Sequence, residues 1–379
     1  MNPVSRSRRR AALRALACGA LAWNGLGAES SAWARAAHRR RPTRVALAAS
    51  NAADDVPSYA TRADVMRFAD ELAERRGLEA AWVRGALGQA RFQAVVARLV
   101  MPAPAGTAKN WSAYRARFVE PVRIRAGLSF WDANTGWLAR AEDVFGVPPE
   151  IVVGIVGVET IYGRQTGSFR VLDSLATLAF DFPGGRSDRS AFFRDELEAF
   201  FVMCRTENRD PLQVTGSYAG AMGLPQFMPS SFNRWAVDFD GDGRTDLDAS
   251  AADVIGSVGL FLAEHGWKRG LKPRYPVVPP GDRAEREFLL APDIVPTFTL
   301  AEMTAHGARV RAPDLPEGEK LALVQVENGD APPSHVAGTS NFYAITRYNQ
   351  SSYYALAVIE LGETIRRAMA SSPPASSPG

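Results

Sequence analysis

One carboxylate stands inside an otherwise uncharged stretch of the chain. Residues 152–162 read VVGIVGVETIY, and Glu159 is the only acidic residue among them. On a helix, Ile155, Val156 and Tyr162 would share its face. Apolar neighbours raise the pKa of a carboxyl group, and a carboxylic acid that stays protonated near neutral pH can protonate a leaving oxygen. The pattern favours a general acid, although a structural Glu bonded to a buried backbone group or an Arg would produce it too.

An acidic loop is the second stretch that could do chemistry. Residues 238–249 read DFDGDGRTDLDA, and the first nine positions match an EF-hand loop: Asp238 at position 1, Asp240 at 3, Asp242 at 5, Gly243 at 6 and Asp246 at 9. Position 12 holds Ala249 instead of Glu, and Asp248 or Asp253 are candidates to replace it. Such oxygen ligands favour Ca²⁺ or a similar hard cation in a structural role, and a solvated acidic turn is the alternative.

A third cluster combines aromatic rings with polar tips. The segment NFYAITRYNQSSYY, residues 341–354, contains Tyr343, Tyr348, Tyr353 and Tyr354. Sugars present apolar C–H patches between hydroxyl groups, and aromatic faces beside amides and hydroxyls suit such surfaces. Core packing at a junction between subdomains explains the same pattern equally well.

Composition and motifs exclude several other functions. The 379-residue chain has a formal charge of only +3 and its arginines crowd the N-terminus, so the folded part gives no basis for nucleic-acid binding. His and Cys show no metal-ligand spacing, and the chain has neither a P-loop nor a dinucleotide fingerprint. GSYAG, residues 216–220, places Ser217 second, which does not match a nucleophile elbow.

The elements that must position these groups begin after an N-terminus typical of an export signal. We predict a signal over residues 1–34, with a basic start, an apolar stretch too short to span a membrane and the small-x-small site SAWA. SRRRAAL resembles a twin-arginine signal. ALAC before Cys18 resembles a lipoprotein box, so a lipid anchor in the outer membrane is the alternative to a soluble periplasmic protein. Removal of Cys18 would leave Cys204 alone, and we expect no structural disulfide.

Helical periodicity dominates the rest of the chain. A polar linker at 35–57 precedes helical segments predicted at 79–99, 111–118 and 122–145. Residues 271–335 are rich in proline and contain strand-like pieces such as KLALVQV. The tail, residues 369–379, is expected to be disordered. The pattern therefore predicts a mainly α chain with one small β-containing part.

Several long motifs, in this order, resemble the lytic murein transglycosylase B family. They are GIVGVETIYGRQTGSFRVLDSLATLAFDFP, DELEAFFVMCR, GSYAGAMGLPQFMPSSF, the acidic loop followed by DVIGSVGLFLAEHGW, and NFYAITRYNQSSYYALAV. The resemblance extends from roughly residue 60 to residue 366 and is far more specific than any single motif above.

The resemblance implies a mainly α (α+β) fold: a lysozyme-like core, an α-helical subdomain, a small β subdomain and an EF-hand-like loop. The implied α subdomain comprises residues 58–135 and the C-terminal helix 351–368. The implied core comprises residues 136–270, with the ion loop at 238–253, and residues 341–350 form a segment at the core cleft. The implied β subdomain comprises residues 271–340. The implied ion is a structural Ca²⁺ or Na⁺, with ligands at Asp238, Asp240, Asp242, Arg244 and Asp253.

The resemblance also implies roles for residues along a glycan-binding cleft. Glu159 matches the single catalytic acid and base of the family, and Ser217 and Asn349 match polar residues that contact the sugar near the scissile bond. Other cleft positions that bind glycan fall on Tyr114, Arg189, Gln226, Tyr348 and Tyr354. The segment PGGRSDRS around Arg189 is longer than the usual family loop.

The implied reaction cleaves the β-1,4 bond between N-acetylmuramic acid and N-acetylglucosamine in peptidoglycan. Ordinary glycosidases use two carboxylates. One suffices if the muramic acid C6 hydroxyl attacks its own C1, which yields a 1,6-anhydro sugar without water or a cofactor. A muramidase that uses water and a non-catalytic peptidoglycan-binding protein are the alternatives. The expected partners are glycan strands and cell-wall synthases such as penicillin-binding proteins, and we expect a monomer.

Overall fold

The computed structural model describes residues 58–101, 109–184 and 187–371, and within these ranges the chain is mainly helical, as expected. The predicted export signal with Cys18, the linker at 35–57 and residues 372–379 of the predicted tail lie outside the described residues. Residues 369–371, expected to be disordered, are helical. None of the helices described is both long and apolar enough to cross a bilayer.

Within residues 58–101 and 109–160, a short 3-10 helix (Tyr59–Thr61) is followed by seven α-helices, the last of which carries Glu159. They are α1 (Ala63–Arg76), α2 (Ala80–Gly88), α3 (Ala94–Leu99), α4 (Trp111–Phe118), α5 (Pro121–Ala133), α6 (Thr135–Phe145) and α7 (Pro149–Thr160). The segments predicted at 79–99 and 122–145 are therefore each two helices. In the first, the amides of Arg91 and Gln93 bond to side chains of Asp173 and Thr177 at 3.0 and 2.9 Å, which replaces helical hydrogen bonding.

The middle of the chain surrounds α7. It contains β1 (Phe169–Arg170), α8 (Val171–Phe180), α9 (Ser190–Thr206), β2 (Thr215–Gly216), α10 (Pro229–Trp235) and α11 (Ala251–Glu264). Strands β1 and β2 pair antiparallel, and α8 packs against α9. The acidic loop connects α10 to α11.

A small sheet follows and has its own core. Helices α12 (Arg283–Leu290) and α13 (Leu300–Ala305) accompany strands β3 (Arg274–Val278), β4 (Arg309–Val310), β5 (Ala322–Asn328) and β6 (Ala331–Gly338). The strands lie in the antiparallel order β4-β3-β6-β5, and β5 contains most of KLALVQV. Tyr275, Leu289 and Phe298 are among the residues that bury this second core.

The last two helices return to the main core. They are α14 (Ser340–Thr346) and α15 (Ser352–Ser371). Helix α15 lies against α7 at close range: a Cβ on Gly154 would stand 2.3 Å from the Val358 carbonyl oxygen, and one on Gly362 would stand 1.9 Å from that of Glu150. Only glycine permits this approach, so the two glycines fix the spacing between the helices that carry Glu159 and Tyr354.

Candidate active site

Glu159 occupies the last turn of α7, directly before the chain leaves the helix. Ile161 and Tyr162 adopt left-handed backbone angles, with φ of 52° and 55°. This conformation is unfavourable for a β-branched residue, and the surrounding structure must hold it in place. The amides of Ile161 and Tyr162 close the helix on Gly157 and Val156 at 3.3 and 3.4 Å. The helix therefore stops just past Glu159.

The Glu159 carboxyl group has one hydrogen-bond donor and a densely packed surrounding. Tyr354 Oη donates to Glu159 Oε1 at 2.6 Å. Part of the residue faces the cleft, while protein atoms crowd the carboxyl itself. Burial raises the pKa of Glu159 from 4.5 to about 8, against the opposing effect of the Tyr354 hydrogen bond. Burial therefore favours the protonated acid at neutral pH.

Two more of the predicted tyrosines lie near this carboxyl. Tyr348 stacks on Tyr354 with ring centroids 6.3 Å apart, and its hydroxyl donates to the Pro225 carbonyl at 2.8 Å. Burial raises the pKa of the Tyr114 hydroxyl, and the charge of Glu159 raises it further, so α4 brings Tyr114 close to Glu159.

Ser217 lines the same cleft as Glu159 and is oriented by its own turn. Its Oγ accepts hydrogen bonds from the amides of Ala219 and Ala221 at 3.3 and 3.0 Å. Because both acceptor positions of the hydroxyl are used, its O–H remains as a donor for a ligand in the cleft.

Gln226 and Asn349 add two amides to the cleft wall. Gln226 has a left-handed φ of 51°, and its Nε2 donates to the carbonyls of Thr166 and Gly223 at 3.1 and 3.0 Å, which leaves Oε1 as an acceptor. Asn349 is only 7% exposed, and its Oδ1 accepts no hydrogen bond from any described residue. Such a buried polar atom requires a partner, and a sugar can supply it.

Arg189 lies at the edge of this arrangement. It directly precedes α9, and its guanidinium stands 4.6 Å from the ring centre of Phe192. Phe192 lines the cleft, whereas Arg189 does not.

Glu196 is a second buried carboxylate at the cleft, and nothing in the sequence pattern predicts it. It is 4% exposed, and Ser230 donates to both of its oxygens, from the backbone N at 2.9 Å and from Oγ at 2.6 Å. Burial raises the pKa of Glu196, although the Ser230 hydrogen bonds oppose the shift. The carboxylate ties α9 to the first turn of α10.

Other residues that line the cleft are not predicted either, because their spacing in the sequence is the same as that of residues that only pack a helix. Phe261 in α11 and His265, which directly follows the helix, stack with ring centres 4.0 Å apart. The remaining lining residues include Phe227, Trp235, Arg234 and Arg347.

The acidic loop brings three of its predicted ligands together. Carboxylate oxygens of Asp238, Asp240 and Asp253 lie within 4.8 Å of one another. Asp253 is 1% exposed and accepts from the amides of Phe239 and Asp246, each at 2.8 Å. Burial raises the pKa of Asp253, an effect that a bound cation would offset. This donor set suits a hard cation.

The other two predicted ligands are arranged differently. Asp242 lies outside the group of three convergent carboxylates, and its Oδ1 accepts from the Arg244 amide at 2.8 Å. The Arg244 side chain is exposed and forms an ion pair with Asp246 at 3.3 Å.

Comparisons with known proteins agree with the fold. Residues 60–363 match the family described as Transglycosylase SLT domain. Membrane-bound lytic murein transglycosylase B of Escherichia coli (strain K12) is 36% identical over 321 residues, which cover 81% of this chain and 84% of that protein.

Two solved structures extend the likeness. The soluble lytic transglycosylase SltB1 from Pseudomonas aeruginosa has a TM-score of 0.74 and 40% identity, over 81% of this chain and all 100% of that one. The Escherichia coli lytic transglycosylase Slt35 in complex with calcium has a TM-score of 0.70 and 37% identity, over 82% and 95% of the two chains. On these grounds the chain belongs to the lytic murein transglycosylase B family, a family of peptidoglycan-cleaving enzymes.

Proposed function

We propose that Glu159 is the single acid and base of this enzyme and that the product carries 1,6-anhydromuramic acid. Glu159, protonated in the free enzyme, donates its proton to the glycosidic oxygen as the bond to muramic acid C1 breaks. The muramic acid C6 oxygen then bonds to C1, and its proton passes to the Glu159 carboxylate. The acid is regenerated, and no water is consumed. The observation that carries the proposal is the crowded, protonated carboxyl at the cleft.

The surroundings of Glu159 support both halves of this cycle. Burial favours the acid that starts the reaction, and the Tyr354 hydrogen bond favours the carboxylate that finishes it. Glu196 does not offer a comparable free carboxylate, since both of its oxygens accept from Ser230. An intramolecular attack by the substrate replaces the second carboxylate of ordinary glycosidases.

We assign the glycan contacts to the polar groups that the fold leaves with spare hydrogen-bonding capacity. These are the hydroxyl hydrogen of Ser217, Oε1 of Gln226 and Oδ1 of Asn349. Tyr348, Tyr354 and Tyr114 add aromatic surface beside Glu159, and Arg189 acts at the rim through Phe192.

We further propose a structural Ca²⁺ or Na⁺ held by Asp238, Asp240 and Asp253. The support is the convergence of three carboxylates, one of them buried, and the calcium complex of Slt35. The ion would neutralise the loop that joins α10 to α11. Helix α10 contributes Arg234 and Trp235 to the cleft and α11 contributes Phe261, so the loop would support the site through the two helices that it joins.

We also propose export to the periplasm, on the basis of the features of residues 1–34. Cell fractionation tests whether the protein is soluble in the periplasm or attached to the outer membrane. A Cys18→Ala variant that remains membrane-associated would exclude the lipid anchor.

The deciding experiment replaces Glu159 with Gln and treats purified sacculi. We expect release of glycan fragments to fall at least about a thousandfold, because the amide cannot supply a proton. The wild-type products should carry anhydromuramic acid and incorporate no ¹⁸O from labelled water. Release by Glu159→Gln that equals release by the wild type would show that Glu159 is not the acid. No release by the wild type would favour a binding protein, and ¹⁸O at muramic acid C1 would favour the water-using muramidase.

Glu196→Gln is the matched control for a buried carboxylate at the same cleft. Gln retains an oxygen that can accept from Ser230, so we expect this variant to keep most of its activity. Equal loss of activity in the two variants, with both folded, would indicate a mechanism with two carboxylates.

A further inference from the structure

Arg347 is a cation in the cleft wall beside the residues that we assign to the glycan. It directly precedes Tyr348 and Asn349, and all three line the cleft. The residue is half-buried. Its guanidinium lies 5.6 Å from the ring centre of Tyr343, and its Nη1 donates to the Tyr343 hydroxyl at 3.4 Å. Within 58–101, 109–184 and 187–371, no carboxylate forms an ion pair with it.

The neighbouring titratable groups do not supply the missing negative charge. Burial and the charge of Arg347 lower the pKa of His265, although its hydrogen bond to the Phe261 carbonyl and the charge of Glu264 oppose the shift. The other cleft arginine, Arg234, is within electrostatic reach of Glu196, whose pKa it lowers. Arg234 therefore has an acidic neighbour on the protein, whereas Arg347 faces the cleft without one. A partly desolvated cation in a binding cleft is suited to an anionic ligand group.

The chemistry of peptidoglycan limits what that group can be. Its sugar rings are uncharged, and its carboxylates lie on the lactyl substituent of muramic acid or on the peptide attached to that substituent. We propose that Arg347 binds a carboxylate carried by this substituent, so that the cleft recognises muramic acid by its charge as well as its ring. The inference rests on the proposed glycan site around Glu159, but not on the identity of the acid.

Binding measurements test the inference without cleavage. In a Glu159→Gln background, three soluble ligands of equal length are titrated: peptide-bearing glycan strands, the same strands after amidase digestion, and a chitooligosaccharide without carboxylates. We expect Arg347→Gln to weaken binding of one of the two carboxylate-bearing ligands, the peptide-bearing or the digested strands, about tenfold or more, and to change binding of the chitooligosaccharide less than about twofold. Arg309→Gln, at an exposed position of β4, controls for the change in net charge.

The pattern of losses identifies the carboxylate. Weakening of the peptide-bearing ligand alone assigns Arg347 to a carboxylate of the peptide. Weakening of the digested strands alone assigns it to the lactyl carboxylate, which is an uncharged amide until the amidase removes the peptide. Weakening of all three ligands alike, or of none, overturns the inference.

Two further measurements keep the test informative if Arg347→Gln folds poorly. Arg347→Lys should retain part of the preference for anionic ligands. Added salt should weaken binding of the anionic ligands to the parent protein and leave the chitooligosaccharide unaffected; equal salt dependence for all ligands contradicts the inference. Loss of the Glu159 mechanism would instead appear as cleavage by Glu159→Gln, a separate readout.

Discussion

Tyr354 Oη donates to Glu159 Oε1 at 2.6 Å, and this hydrogen bond opposes the effect of the packing around the same carboxyl. The packing favours the neutral acid, and the hydrogen bond favours the carboxylate. Their balance places the pKa at about 8, close to the pH at which one group can both give and take a proton.

Tyr354→Phe should move the alkaline limb of the pH–rate profile upward. Without the hydroxyl, the carboxylate loses a donor and the pKa of Glu159 rises, so the acid stays protonated to higher pH. We expect the limb of kcat/KM to shift by about one pH unit, since hydrogen bonds to charged groups contribute about 1.5–3 kcal/mol. The check is kcat/KM on soluble glycan strands across the alkaline range.

Tyr353→Phe is the matched control for this profile. Its hydroxyl accepts from the Glu327 amide at 2.6 Å and has no hydrogen bond to Glu159. An alkaline limb that stays in place in Tyr354→Phe, or moves equally in both variants, would contradict the assigned role of the hydrogen bond.

Glu159 should also make the stability of the protein depend on pH. The native state keeps a proton that the unfolded chain releases between the ordinary glutamate pKa of 4.5 and the folded value of about 8. Because the native state binds more protons in this window, the free energy of unfolding of the wild type falls as pH rises through it. Glu159→Gln does not titrate, so its Tm should exceed that of the wild type by more at about pH 8 than at about pH 5. A Tm difference that is constant with pH would show that the carboxyl has an ordinary pKa.

Gly362→Ala should destabilise the protein and impair catalysis together. Its Cβ would stand 1.9 Å from the Glu150 carbonyl oxygen, so α15 must move away from α7. We expect a loss of about 1–3 kcal/mol, as in other overpacked cores, and a reduced kcat because Tyr354 moves with the helix. Thermal melts and steady-state kinetics measure the two effects.

Gly85→Ala is the contrasting substitution, at an exposed position of a helix. Nothing lies within 4 Å of a Cβ at Gly85, which is in the interior of α2. Here the substitution should stabilise by about 0.5–1 kcal/mol. Equal effects of the two substitutions would mean that the close packing of α7 and α15 is not a constraint.

Saturating Ca²⁺ should raise the Tm, and a chelator should reverse the rise. A ligand at a hundredfold its dissociation constant stabilises by about 2.7 kcal/mol. Asp253→Asn should abolish the shift, because it removes the buried carboxylate of the group. Asp242→Asn separates the two ligand sets: a retained shift supports the three convergent carboxylates, and a lost shift supports the set implied by the EF-hand pattern. No shift in the wild type would rule out the ion site.

The parts of the site that could be predicted are those with a short-range signature. Glu159 stands out because one acid interrupts an apolar run, and the acidic loop because its ligands follow a fixed spacing. Glu196 has no such signature. Its helix begins SAFFRDELEAFF, where Glu196 is one of several charged residues between two pairs of phenylalanines. Its partner Ser230 lies 34 residues away. Only the packing of α9 against α10 brings the two together.

Helix boundaries show the same limit. The periodicity of 122–145 continues across Asn134, but the helix breaks there because the Asn134 side chain donates to the Phe130 carbonyl at 2.8 Å. The spacing of hydrophobic residues does not reveal such local competition between side chain and backbone. The mainly helical fold survives these breaks because the apolar faces on either side still point to one core.

The close contact of α7 with α15 has a consequence for the order of events during biosynthesis. Glu159 and Tyr354 are 195 residues apart, and the helix that carries Tyr354 follows all the other described helices along the chain. A growing or unfolded chain therefore carries an ordinary, solvated carboxylate at this position. In the proposed mechanism the protonated acid forms only when this helix docks, so we expect an incompletely folded chain to be inactive.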